Sequence, residues 1–182
     1  QRVKCENVKM KAFGGTFQVS GSIEQFDRPL HHLQAKGEVN NADVQKVFYA
    51  FDNFGQSTIS DHNLSGTLST NFSYSSELRK DFSIVPSTMS GRLGLTLLNG
   101  QLNHFEPLKR VQRLLFKRRN FDNVRFENLQ NQFVLQGQEL SMNHMKVASS
   151  VLTFFVGGTF RFRDKTDVLV QIPLSNLKRN PN

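Results

Sequence analysis

The sequence predicts an α+β fold, dominated by a curved, mostly antiparallel β-sheet with one apolar face and two amphipathic helices. Two observations predict this fold. Apolar and polar residues alternate in at least five segments, and apolar residues recur with helical spacing in two others. Alternation sends successive side chains to opposite faces of a strand, and a sheet with one wet face is typical of antiparallel pairing.

The first strand candidates lie in the first half of the chain. Between Phe13 and Ile23 the odd positions are apolar residues or glycine, and the even positions are small or polar. The same alternation returns in residues 33–39, 64–74 and 93–97. These four segments predict strands with one apolar face.

The longest alternating stretch is SSVLTFFVGGTFRF, which covers residues 149–162. One of its faces is apolar over about 12 residues, whereas strands usually have about 5 to 6. Further candidates are residues 131–135, 140–147 and 167–172. We expect a hairpin between 147–162 and 167–172, with Arg163, Asp164 and Lys165 as the turn and Pro173 ending the return strand.

Helices are predicted for residues 44–53 and 107–118. The apolar residues of the first follow i, i+3, i+4, i+7 spacing: Val44, Val47, Phe48 and Phe51. Asp43 is a candidate N-cap for this helix, and Pro107 suits the first position of the second helix. The second helix places its apolar residues on one side: Leu108, Val111, Leu114 and Leu115.

The two helical regions resemble each other in sequence. KGEVNNADVQKVF aligns with NGQLNHFEPLKRV, which pairs Gly37 with Gly100 and Asp43 with Glu106. This alignment predicts a strand–helix–strand repeat over residues 33–75 and 96–136. The alternative is a chance likeness between two strand–helix junctions.

Composition narrows the class of protein. A chain of 182 residues suggests one domain, and 37% hydrophobic residues suffice for a folded core. The net charge of +8 suits anionic partners, but it also suits a well-solvated surface. The single cysteine, Cys5, excludes a disulfide framework and a cysteine metal site. Because Gln1 begins within an alternating pattern and no apolar signal segment follows, we expect a fragment or processed product of a longer protein.

Catalytic constellations are scarce. His31 and His32 are adjacent, so on a strand they would point in opposite directions, and we interpret them as part of a surface loop after Pro29. Asp61-His62 resembles part of a catalytic triad, but no serine lies in a nucleophile-elbow context. Carboxylates show neither paired nor metal-ligand spacing. We therefore expect no enzyme, no metal and no cofactor.

The second helix carries the densest charge of the chain. Its basic residues are Lys109, Arg110, Arg113, Lys117, Arg118 and Arg119. One interpretation is a helix that packs on the core and turns a solvated basic side outward. Another is contact of Lys109, Arg110, Arg113 and Lys117 with anionic lipid headgroups. A nucleic-acid partner is not expected, because no recognised binding motif or stacking aromatic accompanies the basic stretch.

The chain resembles the C-terminal region of AsmA-like proteins of Gram-negative envelopes in three strings: NGQLNHFEPLKRVQRLLF, SSVLTFFVGGTFRF and TDVLVQIPLSNLKR. The earlier VNNADVQKVFYAFDNFGQSTISDHNLSGTLS is similar to the preceding segment of that family. Together these cover most of residues 33–179. Gly157 departs from the pattern, where an acidic residue is expected.

The resemblance implies one AsmA-like C-terminal domain over residues 1–182, from a periplasmic protein anchored to the inner membrane by an N-terminal helix that this chain lacks. Proteins of that family are implicated in outer-membrane assembly and in moving phospholipid between membranes. They are related to bridge-like lipid-transfer proteins, whose long curved sheets form a hydrophobic groove. No catalytic residues belong to the family.

Two functional hypotheses follow from the sequence and the resemblance. In the first, the sheet handles phospholipid or another acyl-chain lipid on an apolar surface formed by Leu68, Phe72, Phe154, Val156, Phe160 and Phe162. In the second, the apolar face is internal core, and the domain is a scaffold whose basic helix contacts a partner protein or a membrane surface.

Overall fold

The computed structural model describes residues 1–55, 59–162 and 167–178. These residues form a curved, open sheet of nine antiparallel strands, in which each strand pairs with the next one along the chain. The strands are β1 (Arg2–Ala12), β2 (Gly15–Glu24), β3 (His31–Asp43), β4 (Leu64–Leu78), β5 (Ser90–Asn103), β6 (Asn123–Gln136), β7 (Glu139–Ala148), β8 (Thr153–Arg161) and β9 (Asp167–Gln171). The predicted fold class is therefore confirmed.

Irregularities in the strand pairing accompany the curvature of the sheet. The register shifts between Cys5 and Val8 in β1 and between Val39 and Ala42 in β3. Further shifts occur in β4 and in β7. The shift in β4 contains Gly66 at φ 140°, a backbone conformation that L side chains rarely adopt. Because a bulge bends its strand and increases the local twist, these four positions explain why the sheet is not flat.

The first helix, α1 (Val44–Ala50), starts where the sequence predicts. The Asp43 carboxylate caps it, since Oδ1 accepts hydrogen bonds from the backbone N–H of Gln45 at 2.9 Å and of Lys46 at 3.3 Å. The helix ends before the expected residue 53. Asp52, Asn53 and Phe54 all have positive φ, so the chain leaves the right-handed helical conformation and turns at Asp52–Gly55.

The second helix, α2 (Glu106–Leu115), begins one residue before the predicted start, so Pro107 lies in its first turn but at the second position. It ends three residues before the predicted end because the chain turns inward at Phe116. The Phe116 ring is buried and stacks on Phe121 at a centroid distance of 6.0 Å. Among the described residues, no helix has both the length and the apolar character needed to cross a membrane.

The predicted hairpin at the end of the chain is confirmed, because β8 pairs with β9, which ends at Gln171. The expectation of a single strand over 147–162 is wrong, since Val147 and Ala148 end β7 and a turn precedes β8. The Ser149 hydroxyl closes this turn by donating to the Leu152 carbonyl at 2.6 Å and accepting from the Leu152 N–H. The predicted turn residues 163–165 lie outside the described residues.

The histidine pair does not lie in a surface loop. His31 and His32 begin β3, and their side chains have different surroundings. The His31 ring is buried beside Phe26 and Phe82, while His32 Nδ1 lies 2.8 Å from Glu77 Oε1 on β4. The two imidazoles therefore have separate packing and hydrogen-bonding roles.

The strand–helix–strand arrangement occurs twice, as β3–α1–β4 and as β5–α2–β6. The two copies differ in detail, because Asp43 caps α1 whereas Phe105 occupies the N-cap of α2 without a side-chain hydrogen bond. The internal repeat stays a prediction. Both helices nonetheless leave the sheet at the same end, which we call the helical end.

The hydrophobic core lies at this helical end. It joins helix residues to strand residues, and its buried members include Val44, Val47, Leu68, Leu97, Leu108, Phe116, Phe121, Phe126, Val147 and Phe154. The tail is attached to the same region by Asn176, whose side-chain oxygen accepts from Thr153 N–H at 2.9 Å and whose nitrogen donates to Thr153 O at 2.7 Å. One part of the sheet is thus covered by helices and tail.

Candidate functional site

A row of apolar residues and glycines crosses all nine strands away from the helical end. Each member is the cross-strand partner of the next, so their side chains lie on one face of the sheet. This apolar row consists of Val8, Val19, Gly37, Phe72, Leu93, Phe133, Met142, Gly158 and Val168. Eight interstrand spacings of about 4.8 Å give it a length of about 38 Å.

No described layer of the molecule covers the apolar row. Its members lie outside the core cluster, and the side chains in its middle are only half-buried. At the two edges of the sheet, Val8 is 42% exposed and Val168 is 41% exposed. A second row on the same face continues the apolar surface toward the end of the sheet opposite the helical end, which we call the far end. This row includes Ala35, Tyr74, Leu135, Leu140 and Phe160. An uncovered apolar face of this kind is typical of a binding surface.

The opposite face of the same strands is polar. The neighbouring row there consists of Lys9, Gln18, Glu38, Asn71, Gly94 and Gln132. A shallow depression of about 660 Å³ is lined mostly by polar residues of the central strands, such as Asn40, Ser69 and Gln130. The two faces therefore differ in character, and only one of them suits an apolar ligand.

The six residues predicted to face lipid are divided between core and open surface. Leu68 and Phe154 are 7% and 8% exposed, and both belong to the core. Val156 is half-buried and packs against that core. For Leu68 and Phe154 the prediction of a groove wall is wrong, because the helical end covers them.

The other three residues remain accessible. Phe72 lies in the middle of the apolar row and Phe160 in the row beside it. Phe162 lies just beyond the end of β8, is 48% exposed, and packs its ring against Phe160 at 5.5 Å. Because Phe72 on β4 and Phe160 on β8 are separated by three strands, the predicted residues share one long surface instead of forming a compact cluster.

The residues that sequence reasoning missed are the central members of the row, above all Leu93, Phe133 and Met142. The signal was present, since Leu93 begins the alternation of residues 93–97 and Phe133 lies within the strand predicted at 131–135. What the sequence lacks is the register, which places Phe72, Leu93 and Phe133 side by side.

The basic residues of α2 are not equivalent. Lys109 Nζ lies 3.1 Å from Asp122 Oδ1, and its side chain is only 22% exposed, so it is engaged within the domain. Arg113 lies 3.7 Å from Glu106 in an exposed pair, a type that contributes about 0–1 kcal/mol. Arg110 and Lys117 are exposed and have no ion-pair partner among the described residues. Of the four predicted headgroup contacts, Lys109 has the least accessible side chain.

Arg119 is a structural residue of the helical end. Its guanidinium donates to the carbonyls of Val151 at 2.8 Å and Asn176 at 2.6 Å, and it lies 4.8 Å from the centroid of the Phe116 ring. Arg119 therefore connects the end of α2 to the turn before β8 and to the tail. The sequence shows it only as one more basic residue.

The apolar side of α2 is also divided. Leu108 is buried and Val111 is half-buried against the core, as expected. Leu114 and Leu115 are 77% and 56% exposed. The interpretation in which the apolar side packs on the core therefore holds for Leu108 and Val111 but not for Leu114 and Leu115, because Phe116 takes the inward position where the helix ends.

The Lys109 hydrogen bond lowers the pKa of Asp122 below its ordinary value. We expect Lys109→Gln to raise this pKa toward the ordinary range, as measured by NMR titration of the Asp122 carboxyl carbon. In the wild type, the ionised Asp122 carboxylate stabilises the fold at neutral pH. This stabilisation is lost as the pH falls through the lowered, folded-state pKa of Asp122. Arg113→Gln is the control, because Arg113 pairs with Glu106 and should leave the Asp122 pKa unchanged. An unaltered Asp122 pKa in Lys109→Gln would show that the pair is absent in solution.

Comparison with protein-family models, curated proteins and solved structures finds no match to this chain. The AsmA-like resemblance is therefore an expectation from sequence motifs alone.

Proposed function

We propose that this chain is a non-enzymatic lipid-handling module that holds an acyl chain against the apolar row. The supporting observation is the row itself, in which seven apolar side chains and two glycines align across nine strands without a covering layer. A core requires a second layer of structure, and in the described residues the main covering layer lies at the helical end, with a smaller buried group of His31, Ser76 and Leu78 at the opposite end. The part of the face between these two buried regions, which carries the apolar row, is available for an apolar ligand.

The energetics of this role are favourable. Each methylene group moved from water to an apolar surface gains about 0.8 kcal/mol. A tail that places ten methylenes on the row gains up to about 8 kcal/mol before the cost of immobilising it. A face that is continuous from edge to edge suits a long chain better than a closed pocket does, because it sets no length limit within its span of about 38 Å.

The cellular setting is proposed from the resemblance. In an AsmA-like protein the face would guide phospholipid through the periplasm between the inner and outer membranes. The net charge of +8 suits the anionic headgroups of such lipids. The acyl chain and the headgroup would then be held by different parts of the molecule.

A scaffold function is the second candidate. The observation that favours it is the burial of Leu68 and Phe154, which shows that part of the apolar face serves as internal core. In this case the apolar row would be covered by a partner protein of the envelope, and α2 would contact that partner or a membrane surface.

Lipid capture by the purified chain separates the two candidates. We expect phospholipid to be found by solvent extraction and native mass spectrometry, and Phe133→Glu to abolish it because a carboxylate would lie in the middle of the apolar row. Val134→Glu is the matched control. Val134 is the next residue on β6, faces the polar side and is 45% exposed, so this variant should keep its lipid. Both variants should remain folded by circular dichroism.

Two results would contradict the lipid-handling proposal. One is a wild-type chain without bound lipid that also fails to take up phospholipid from detergent. The other is equal retention of lipid by Phe133→Glu and Val134→Glu, which would place any bound lipid elsewhere on the molecule.

A further inference from the structure

Large apolar side chains are exposed on three segments of the helical end. They come from the region after α1, from α2 and from the start of the tail, and they are Tyr49, Phe51, Phe54, Leu114, Leu115 and Leu174. The Phe51 and Phe54 rings stack at 5.5 Å, so part of this surface is ordered although it is exposed. At the opposite, far end of the sheet the described residues Leu30, Phe82 and Ile84 are also exposed, but they lie in connections between strands and not on a helix.

Cationic side chains flank the exposed leucines of α2. The segment 106–119 contains six basic residues and a single acidic one, Glu106. Lys109 and Arg119 are engaged internally, whereas Arg110, Lys117 and Arg118 are exposed without an ion-pair partner among the described residues. Arg110 precedes the exposed leucines by one helical turn, and Lys117 and Arg118 follow them. Leu114 and Leu115 thus lie between free positive charges.

We propose that the helical end docks on the surface of an anionic phospholipid bilayer, with Leu114 and Leu115 inserted among the acyl chains and Arg110, Lys117 and Arg118 at the headgroups. Apolar side chains flanked by cations on a short helix are typical of interfacial membrane contacts. Exposed aromatic residues such as Tyr49 suit the same headgroup region. A second copy of this chain is a poorer occupant, because two identical patches would oppose positive charge to positive charge.

This docking surface is separate from the proposed acyl-chain site. Leu64 begins β4 at the helical end, and Phe72 of the apolar row lies eight residues further along that strand. At about 3.3 Å per residue the separation is about 26 Å. The inference therefore does not rest on the lipid-handling proposal, and Phe133→Glu should leave vesicle binding unchanged.

Vesicle flotation tests the insertion of the leucines. We expect the full chain to float with vesicles of phosphatidylcholine and phosphatidylglycerol, and not with phosphatidylcholine alone. The double variant Leu114→Gln/Leu115→Gln should bind at least about tenfold more weakly, since two exposed apolar side chains no longer enter the bilayer. Val134→Gln, an exposed apolar position on the polar face of the sheet, is the control and should bind as the wild type does.

A matched pair of charge variants tests the headgroup contact. Arg110→Gln/Lys117→Gln removes two charges at the helical end, and Arg28→Gln/Lys80→Gln removes two exposed charges in the turns at the far end. We expect the first to weaken binding more than about tenfold and the second to weaken it little. All variants change exposed residues, and their melting temperatures should stay close to that of the wild type.

Four outcomes would overturn the proposal. The wild type could fail to float with anionic vesicles. Equal losses in the two charge variants would indicate diffuse attraction by net charge without a docking surface. Unchanged binding of the leucine variant would show that the leucines do not enter the bilayer. A wild-type dimer in light scattering that becomes monomeric in the leucine variant would show that the leucines form a dimer contact.

Discussion

Phe154→Glu is expected to unfold the domain. The Phe154 side chain is 8% exposed and lies in the core cluster of the helical end, opposite Val147 on β7. Removing a buried phenyl ring costs about 3–5 kcal/mol, and burying a carboxylate without a partner adds to this cost. Because domains of this kind are stable by about 5–15 kcal/mol, the variant should lose most or all of its cooperative unfolding transition.

The matched control for this substitution is Phe162→Glu. Phe162 continues the same alternating sequence eight residues later, but it is 48% exposed and contacts Phe160 at its edge. Thermal unfolding followed by circular dichroism should show a folded Phe162→Glu protein with a modest loss of stability. If Phe154→Glu unfolds cooperatively with near-wild-type stability, Phe154 lines an open surface, as the sequence alone suggests, and the core lies elsewhere.

The contrast between Phe154 and Phe72 shows that the sequence predicts the face on which a side chain lies but not whether that side chain is buried. Both residues occupy the apolar side of an alternating strand, so the period-two pattern correctly predicts their face. The pattern contains no information on which half of that face the helices cover. Phe154 is buried because it lies in the core cluster of the helical end, and Phe72 is half-buried because it lies outside that cluster.

The helix boundaries show the same limit of sequence-based prediction. Spacing and capping residues locate the start of α1 to the residue, because Asp43 and the N–H groups it caps are neighbours in sequence. The end of α2 depends instead on a tertiary contact, the packing of Phe116 on Phe121. The exposure of Leu114 and Leu115 follows from that contact, so helical periodicity alone assigns them to the wrong side.

The sequence shows where charged residues are concentrated but not which contacts they make. The sequence identifies α2 as the most basic segment but cannot show that Lys109 pairs with Asp122 or that Arg119 binds two carbonyl groups. Each of these contacts joins residues that are distant in the chain. The turn at Ser149 differs from these contacts because it is local. The Ser149-Ser150 pair is a turn signal within residues 147–162, over which the alternation predicts a single strand.

Gly100→Ala is expected to destabilise the domain strongly through crowding of a single ring. A Cβ atom added to Gly100 on β5 would lie within 2.5 Å of three carbon atoms of the Phe126 ring on β6. Phe126 is 5% exposed in the core, so its ring has little space to move. Overpacking of this kind costs about 1–3 kcal/mol and occasionally more, and we expect the upper part of that range from denaturant unfolding.

The control for this crowding is Gly94→Ala on the same strand. A Cβ atom there meets the flexible Asn71 side chain on the polar face, and we expect a loss of stability within about 0.5 kcal/mol. Neither glycine has a positive φ, so backbone strain does not separate the two variants.

Phe126→Leu provides the decisive partner substitution, because a smaller side chain leaves room for the new methyl group of Gly100→Ala. We expect the double variant to be more stable than the sum of the two single losses predicts, by about 0.5–3 kcal/mol. Additive losses would mean that Gly100 and Phe126 are not in contact. The pairing of β5 with β6 beneath α2 would then be wrong, together with the covered helical end that distinguishes buried Phe154 from accessible Phe72.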